Sequence, residues 1–357
     1  MKTFPILASN AGLIKFSKKS LKGQVCLSPF VSIEVDVNGE VSLCSCNAWM
    51  PSKVGNLFDT SLQDMLSNQF STEIRRSIID GTYEYCNENT CGVLNQNQLN
   101  QGSNIPERVQ QLLTDSALFQ MPYEIRLAGD VTCNLSCPSC RTHVIKPTAN
   151  ELDQRRQLGA VLSKNLFSVP STQRIRVHTS TSGELFASPL LLEFVRSMPV
   201  DDFPGLELCI QTNGLLAQRN WHQLGKMADR VTMITVTTDA ARANTYEQLR
   251  RGGRWKELQR SLDWISNKKS QTGMELSMRM VVQQANYQEI AEFYDMSMSL
   301  NADVIEYSRI LNWGTFTPSE FNQTDVFAPT HSEYTQAQAI LDQVKVLPKS
   351  FLCGGLS

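Results

Sequence analysis

Strict alternation of apolar and polar positions first appears at Val31-Ser-Ile-Glu-Val-Asp-Val37, where every second residue is β-branched and aliphatic, as a half-buried strand requires. Asn38-Gly39 follows, a pair suited to the positive φ of a tight hairpin turn, and Val41-Ser-Leu-Cys44 makes the returning strand. Thr60, with Gln63 three residues on, predicts a helix start, and Leu62, Met65, Leu66, Ile74 and Ile78 give that helix its apolar face. Beyond Gly81 the period dissolves into an Asn-rich loop. Asn95 to Asn104 is rich in Asn and Gln and reads as a linker, and Ile105 to Phe119 as a short helix.

From Tyr123 onward short β-branched runs alternate with segments that repeat apolar residues three and four apart. The strands predicted are Tyr123 to Ala128, Arg174 to Thr179, Leu206 to Gln211, Met233 to Thr238, Leu276 to Val282 and Val304 to Arg309. Helices separate them, among them Glu151 to Ser163, Pro189 to Met198, Trp255 to Ile265 and Tyr287 to Leu300. Such strand–helix alternation defines an α/β fold with a parallel sheet. By analogy with full (β/α)8 barrels, the chemistry belongs at the C-terminal ends of the strands.

Length and charge narrow the picture. A chain of 357 residues holds more than one typical core, so two domains are expected, and 41% hydrophobic with 19% charged residues describes a globular protein. A formal net charge of −2 gives no field for gathering nucleic acid. No apolar run is long enough to span a bilayer and no secretory leader is recognisable, which leads us to expect a cytoplasmic protein. Ten cysteines in a reducing compartment point to metal ligands or reactive thiols rather than to disulfides.

The densest chemistry is Cys133-Asn-Leu-Ser-Cys-Pro-Ser-Cys-Arg141, directly after the first of the six strands. Cys133, Cys137 and Cys140 supply three thiolates. A [4Fe–4S] cluster takes one protein ligand per iron, so three leave one iron open for an exogenous ligand. Structural zinc would want a fourth Cys or His, and His143 follows Cys140 too closely for the usual spacing; a disulfide with one spare thiol is the remaining alternative. At these residues the chain resembles the radical S-adenosylmethionine (SAM) enzymes, although Ser139 stands where that family often has an aromatic residue. The resemblance implies a partial (β/α)6 TIM-type barrel spanning 121–357 with a C-terminal tail. It also implies SAM as cofactor, reductive cleavage to a 5′-deoxyadenosyl radical, and an external reductant such as a flavodoxin or ferredoxin.

Further positions fit this resemblance. Thr181-Ser182-Gly183-Glu184 stands where the family contacts the amino group of SAM, with Ser182 and Leu185 in place of the usual Gly and Pro. Thr212-Asn213-Gly214 matches a frequent turn. Thr237 corresponds to a hydroxyl that meets the ribose. Arg250, with Arg251 as its rival, corresponds to a guanidinium suited to the SAM carboxylate. Asn286, after the fifth strand, and Tyr307 to Asn312, on and after the sixth, are the remaining family-like positions near the cofactor. The resemblance of residues 1–94 is to the twitch or SPASM-like auxiliary domains, here a small N-terminal α+β unit joined through 95–120. It assigns Cys26, Cys44, Cys86 and Cys91 to a second, auxiliary [4Fe–4S] cluster. Cys46 is an alternative to Cys44, and a zinc site on the same four cysteines is an alternative to the cluster.

Assigning those seven cysteines leaves Cys46, Cys209 and Cys353. A thiol that reaches a substrate radical can give it a hydrogen atom, so Cys353 first and Cys209 second are the candidate catalytic thiols; an inert core position is the plain alternative for each. His143, His178, His222 and His331 show no metal spacing. The expected function is modification of a ribosomal peptide, by epimerisation or cross-linking. A radical SAM sugar or aminocyclitol dehydrogenase or epimerase is the alternative within the family, and a non-enzymatic iron–sulfur electron carrier the alternative outside it.

Overall fold

The structure is a computed structural model that describes residues 13–16, 20–88, 90–95, 99–101, 104–114, 123–179 and 182–356. Thr181, the end of the helix expected over 105–119 and part of the 95–120 linker lie outside the described residues. Within them the helix runs Glu107–Thr114.

Among the described residues, twelve strands form two sheets. β1 (Gln24–Val25) pairs with β5 (Asn100–Gln101), antiparallel. The others are β2 (Ser32–Asp36), β3 (Glu40–Ser42), β4 (Gly55–Asn56), β6 (Glu124–Ala128), β7 (Ile175–Thr179), β8 (Leu206–Thr212), β9 (Val231–Thr237), β10 (Glu275–Val282), β11 (Val304–Arg309) and β12 (Ser350–Cys353). They make one ten-stranded sheet in the order β12-β11-β10-β9-β8-β7-β6-β2-β3-β4. Every pairing from β12 to β2 is parallel, and β2-β3-β4 is an antiparallel meander. The protein is thus mixed α/β with a large parallel sheet.

The six expected strands are all present, but they do not stand alone. The tail forms β12, a further parallel strand beside β11, and β2 pairs with β6 from Ser32↔Glu124 to Asp36↔Ala128. The helix Tyr334–Lys345 carries the chain to β12. The N-terminal hairpin is therefore continuous with the sheet that carries the cysteine motif. At the other end, a Cβ on Gly92 would come within 3.0 Å of the Gly354 backbone nitrogen. The N-terminal region touches both ends of the row of parallel strands.

Side-chain alternation sorts the sheet's two faces. One is apolar: Ile33, Ile125, Val177, Leu208, Ile234, Met278 and Ile305 are all at most 1% exposed and belong to a continuous core under the helices. The other bears Glu34, Arg126, His178, Gln211, Arg279, Glu306 and Cys353. A parallel sheet in a plain doubly wound fold is apolar on both faces, so this polar face is the feature to explain.

Local chemistry accounts for the main differences from expectation. The helix expected from Thr60 is capped by Ser61 instead, whose hydroxyl accepts from Asp64 N at 3.2 Å. Asn68 then caps a second helix, Gln69–Ile79, which divides the expected one. The hairpin turn is as expected, with Gly39 at φ +80°.

Candidate active site

The cysteine loop leaves the C-terminal end of β6 and is fixed by a buried ion pair. Asp130 Oδ1 accepts from Arg155 Nη1 at 2.6 Å and from Thr132 N at 2.8 Å, and its other oxygen takes the Ser188 hydroxyl. Arg155 lies on the helix Ala149–Leu166, which a Thr148–Glu151 capping box starts. Ser182-Gly183-Glu184, after β7, lies against the same loop. Glu184 N donates to Thr132 O at 2.8 Å, and a Cβ on Gly183 would sit 2.3 Å from Asp130 O. Only glycine allows the two loops this approach.

Donors meet each of the three sulfurs. Cys133 Sγ accepts from Leu135 N at 3.4 Å and Asn213 Nδ2 at 3.9 Å, Cys140 Sγ from Arg141 Nη2 at 3.3 Å, and Cys137 Sγ from Arg250 Nη1 at 3.8 Å. Arg141 also binds Val131 O at 2.6 Å and Ser182 O at 2.9 Å, which ties the two loops together. Burial pushes the Cys133 thiol up to about 11, against the pull of Arg141. Burial also raises Cys137, with Arg250 opposing it. Cationic and N–H donors at sulfur favour the thiolate, the form that binds metal. This donor set fits a cluster held by three thiolates.

Three charged side chains surround the loop. Glu184 is 1% exposed and accepts from Asn213 N at 2.7 Å, Thr212 Oγ1 at 2.8 Å and Phe186 N at 3.1 Å. Burial raises its pKa, and these hydrogen bonds pull it back. Arg250 Nη2 lies 2.9 Å from Asp239 Oδ2, while its Nε is buried without a partner among the described residues. Arg251 is exposed and offers the loop only its carbonyl, which accepts from Ser136 N at 3.0 Å. Asp239 has φ +59°, unusual for a non-glycine residue, and is pinned by Val281 N at 2.9 Å and by Asn286 Nδ2 on its carbonyl at 2.8 Å. Asn286 also engages Val281 O and Gln283 N, so its amide is spent on backbone around Asp239. The Thr237 hydroxyl, at the end of β9, is buried without a hydrogen-bond partner among the described residues.

Below, on the polar face, Arg279 reaches Gln211 at 3.0 Å and Glu306 at 2.7 Å. Glu306 in turn accepts from the Cys353 thiol at 2.9 Å. Cys353 pairs in register with Ser308 on the neighbouring strand, so it faces the same way as Glu306. Cys209 lies lower, at the level of His178, 3.8 Å from the Thr232 hydroxyl. Burial raises its thiol to about 11. His178 contacts Glu124, and burial lowers its pKa.

The auxiliary cysteines gather around the hairpin. Burial and then the neighbouring Cys26, Cys46 and Cys86 raise Cys44; burial, then Cys26 and Cys91, raise Cys86. Burial first, and then the charge of Glu34 on the polar face, lift the Cys46 thiol to about 11. Cys44 and Cys46 are thus both at the gathering. Among the described residues, no three His, Cys, Asp or Glu side chains close around a single metal ion.

Several contributors escaped the sequence reading. Asp239, Arg141, the Asp130–Arg155 pair and the Arg279–Glu306 pair all act through contacts between distant segments. The signal available was parity: Glu275, Ser277 and Arg279 on β10, and Glu306 and Ser308 on β11, alternate with apolar residues and so share one polar face.

Residues 26–92 match the SPASM family, an iron–sulfur cluster-binding domain, and the match spans Cys26, Cys44, Cys46, Cys86 and Cys91. These residues are thus similar to a SPASM-type iron–sulfur domain, and they include the β2-β3-β4 meander that joins the large sheet through β6. Among solved structures it is similar to SuiB of Streptococcus suis bound to precursor peptide SuiA, with 12% identity and a TM-score of 0.42 over 72% of this chain and 57% of that one. It is also similar to anSMEcpe with bound AdoMet, at 15% identity and 0.41 over 60% and 55%. A third is the radical S-adenosylmethionine methyltransferase TsrM from Kitasatospora setae with tryptophan substrate and a SAM analog, at 15% and 0.34 over 50% and 34%. The chain thus spans less than two thirds of the length of each. No curated protein matches the sequence. No helix among the described residues is long and apolar enough to cross a membrane.

Proposed function

We propose that the chain is a radical SAM enzyme, its sheet curled into a partial barrel with the polar face inside. The observation that carries this reading is the donor set on Cys133, Cys137 and Cys140, placed at the C-terminal end of a parallel strand beside Glu184 and Arg250. Those three thiolates would hold a [4Fe–4S] cluster, which when bound would supply the electron for reductive cleavage of SAM to a 5′-deoxyadenosyl radical. Glu184, buried and without an ion pair among the described residues, suits the ammonium of SAM. Arg250, with its Nε unspent, suits the carboxylate, and the unpartnered Thr237 hydroxyl suits the ribose. Ser182 and Gly183 position Glu184, and Asn286 holds the turn at Asp239.

The second cluster belongs to the SPASM domain, with Cys26, Cys44, Cys86 and Cys91 as ligands and Cys46 as the alternative to Cys44. A thiol on the polar face supports a peptide epimerase, in which Cys353 would give a hydrogen atom to the substrate radical and the thiyl radical left behind would regain an electron and a proton by way of the external reductant; Cys209 is the second candidate. Cross-linking of a peptide, or oxidation or epimerisation of a sugar or aminocyclitol, would use the same radical. A flavodoxin or ferredoxin is the proposed reductant, and the cytoplasm the proposed location. The test is anaerobic reconstitution with iron and sulfide, then dithionite and SAM. Release of 5′-deoxyadenosine supports the reading, and a reconstituted chain that leaves SAM intact would remove it.

A further inference from the structure

On the polar face most charges are answered. Glu124 pairs with Arg176 at 3.2 Å, Glu207 with Arg174 at 2.7 Å, Glu306 with Arg279 at 2.7 Å and Asp239 with Arg250 at 2.9 Å. Arg126 differs. It projects from the middle of β6 onto this face, yet its guanidinium has no hydrogen-bond or ion-pair partner among the described residues, and its Nε is fully buried. Its neighbours in register are Glu34 on β2 and His178 on β7. His178 is already engaged by Glu124, and with its lowered pKa it is neutral near pH 7. Glu34 has no ion pair of its own, and burial brings its pKa to about 7, so it offsets the guanidinium only in part.

The hydrogen-bonding capacity left over on this face is therefore mainly donor and positive: Arg126, together with the buried, unpartnered Nε of Arg279. A guanidinium half out of water and without an acceptor is costly, and its fork matches a carboxylate. Arg126 also lies two residues before the end of β6, about 7 Å along the strand from the start of the cysteine loop. We propose that Arg126 is the receptor for a carboxylate of the substrate. This rests on the radical SAM reading for its meaning, because it names what the substrate must carry: an acidic side chain or a free C-terminus close to the reacting carbon. An uncharged sugar would leave Arg126 unanswered.

The test reads binding alone, without SAM or reductant. The full chain, reconstituted anaerobically, is titrated with N-acetylaspartate α-amide, which carries a side-chain carboxylate, with N-acetylglycine, which carries a terminal one, and with the uncharged N-acetylasparagine amide. Dissociation constants come from saturation-transfer NMR. At least one carboxylate should bind and the uncharged amide should not, and the tighter of the two identifies the source. R126Q should weaken that binding roughly tenfold or more, and R126K, which keeps charge but not the fork, by less. Iron content and melting temperature establish that each variant is folded, and R126K serves if R126Q is not. Equal binding by wild type and variant, equal binding of the uncharged amide, or no binding of either carboxylate overturns the proposal. Failure to cleave SAM would leave this result untouched, and failure to bind carboxylates would leave the SAM reading untouched.

Discussion

The thiol of Cys353 donates a hydrogen bond to Glu306 across 2.9 Å, and Glu306 is held from its other oxygen by Arg279 at 2.7 Å. Burial raises this thiol first, and the Glu306 charge adds to it, while Arg279 opposes. The group therefore stays protonated at neutral pH, and S–H is the form that can give up a hydrogen atom. Removing the carboxylate with Glu306→Gln should lower the thiol pKa and speed alkylation of Cys353 by iodoacetamide at pH 8. Arg279→Gln should slow it. Peptide mass spectrometry of labelled Cys353 across pH measures both, and the same direction for both variants would refute the arrangement.

The same thiol makes a prediction about product. Cys353→Ala should still form 5′-deoxyadenosine but yield no net epimerised product, and in deuterated water the wild-type product should gain one solvent deuterium from the exchangeable thiol. A product oxidised by two electrons or cross-linked, without deuterium, would point to dehydrogenation or bond formation instead. If Cys209→Ala rather than Cys353→Ala blocks turnover, the donor is the lower thiol.

Replacing Cys133, Cys137 and Cys140 together by Ala should abolish 5′-deoxyadenosine formation and remove about four irons per chain, while about four remain in the SPASM domain. Iron and acid-labile sulfide analysis on the anaerobic protein reads both numbers. Zinc in place of the remaining iron would correct the metal. Retention of that cluster in Cys44→Ala but not in Cys46→Ala would move the ligand.

What could be seen in the sequence was whatever is local. The hairpin at Asn38-Gly39, the strand–helix alternation from Tyr123 and the close spacing of Cys133, Cys137 and Cys140 each depend on neighbours a few residues away. β12 was hidden because Ser350–Cys353 is only four residues long and depends on β11 for its hydrogen bonds. The pairing of β2 with β6 was hidden for the same reason: a parallel partner some ninety residues distant leaves no trace in either strand's period. The Asp239–Arg250 pair joins the end of a strand to the end of the next helix, and only the fold brings them together.

Gly183 carries a steric prediction. A methyl group there would meet Asp130 O at 2.3 Å and Thr132 O at 2.9 Å, both backbone atoms of the loop that opens the cysteine motif. Backbone cannot rotate away as a side chain does, so Gly183→Ala should separate the two loops and destabilise the fold by about 1–3 kcal/mol. Displacing Glu184 with them should cost SAM affinity as well. A melting temperature and SAM dissociation constant both unchanged from wild type would show that the loops have room to spare.

Glu34 gives the pH dependence. Its pKa is raised from 4.5 to about 7, first by burial, with Lys53 and Arg126 pulling the other way. An acid whose folded pKa lies above its unfolded one favours the protonated chain, so its contribution is complete below about pH 4.5 and is lost as pH rises through 7. At 1.36 kcal/mol per unit, a shift of this size amounts to about 3 kcal/mol. Glu34→Gln cannot ionise and keeps nearly the same shape, so it should flatten the fall in stability between pH 4.5 and 7 and leave the variant more stable than wild type at pH 8. Anaerobic urea denaturation at a series of pH values measures the difference. A wild-type curve that is already flat over that range, or a variant less stable at pH 8, would mean that Glu34 is held ionised by Lys53 and Arg126 and that the cost of its burial is already met.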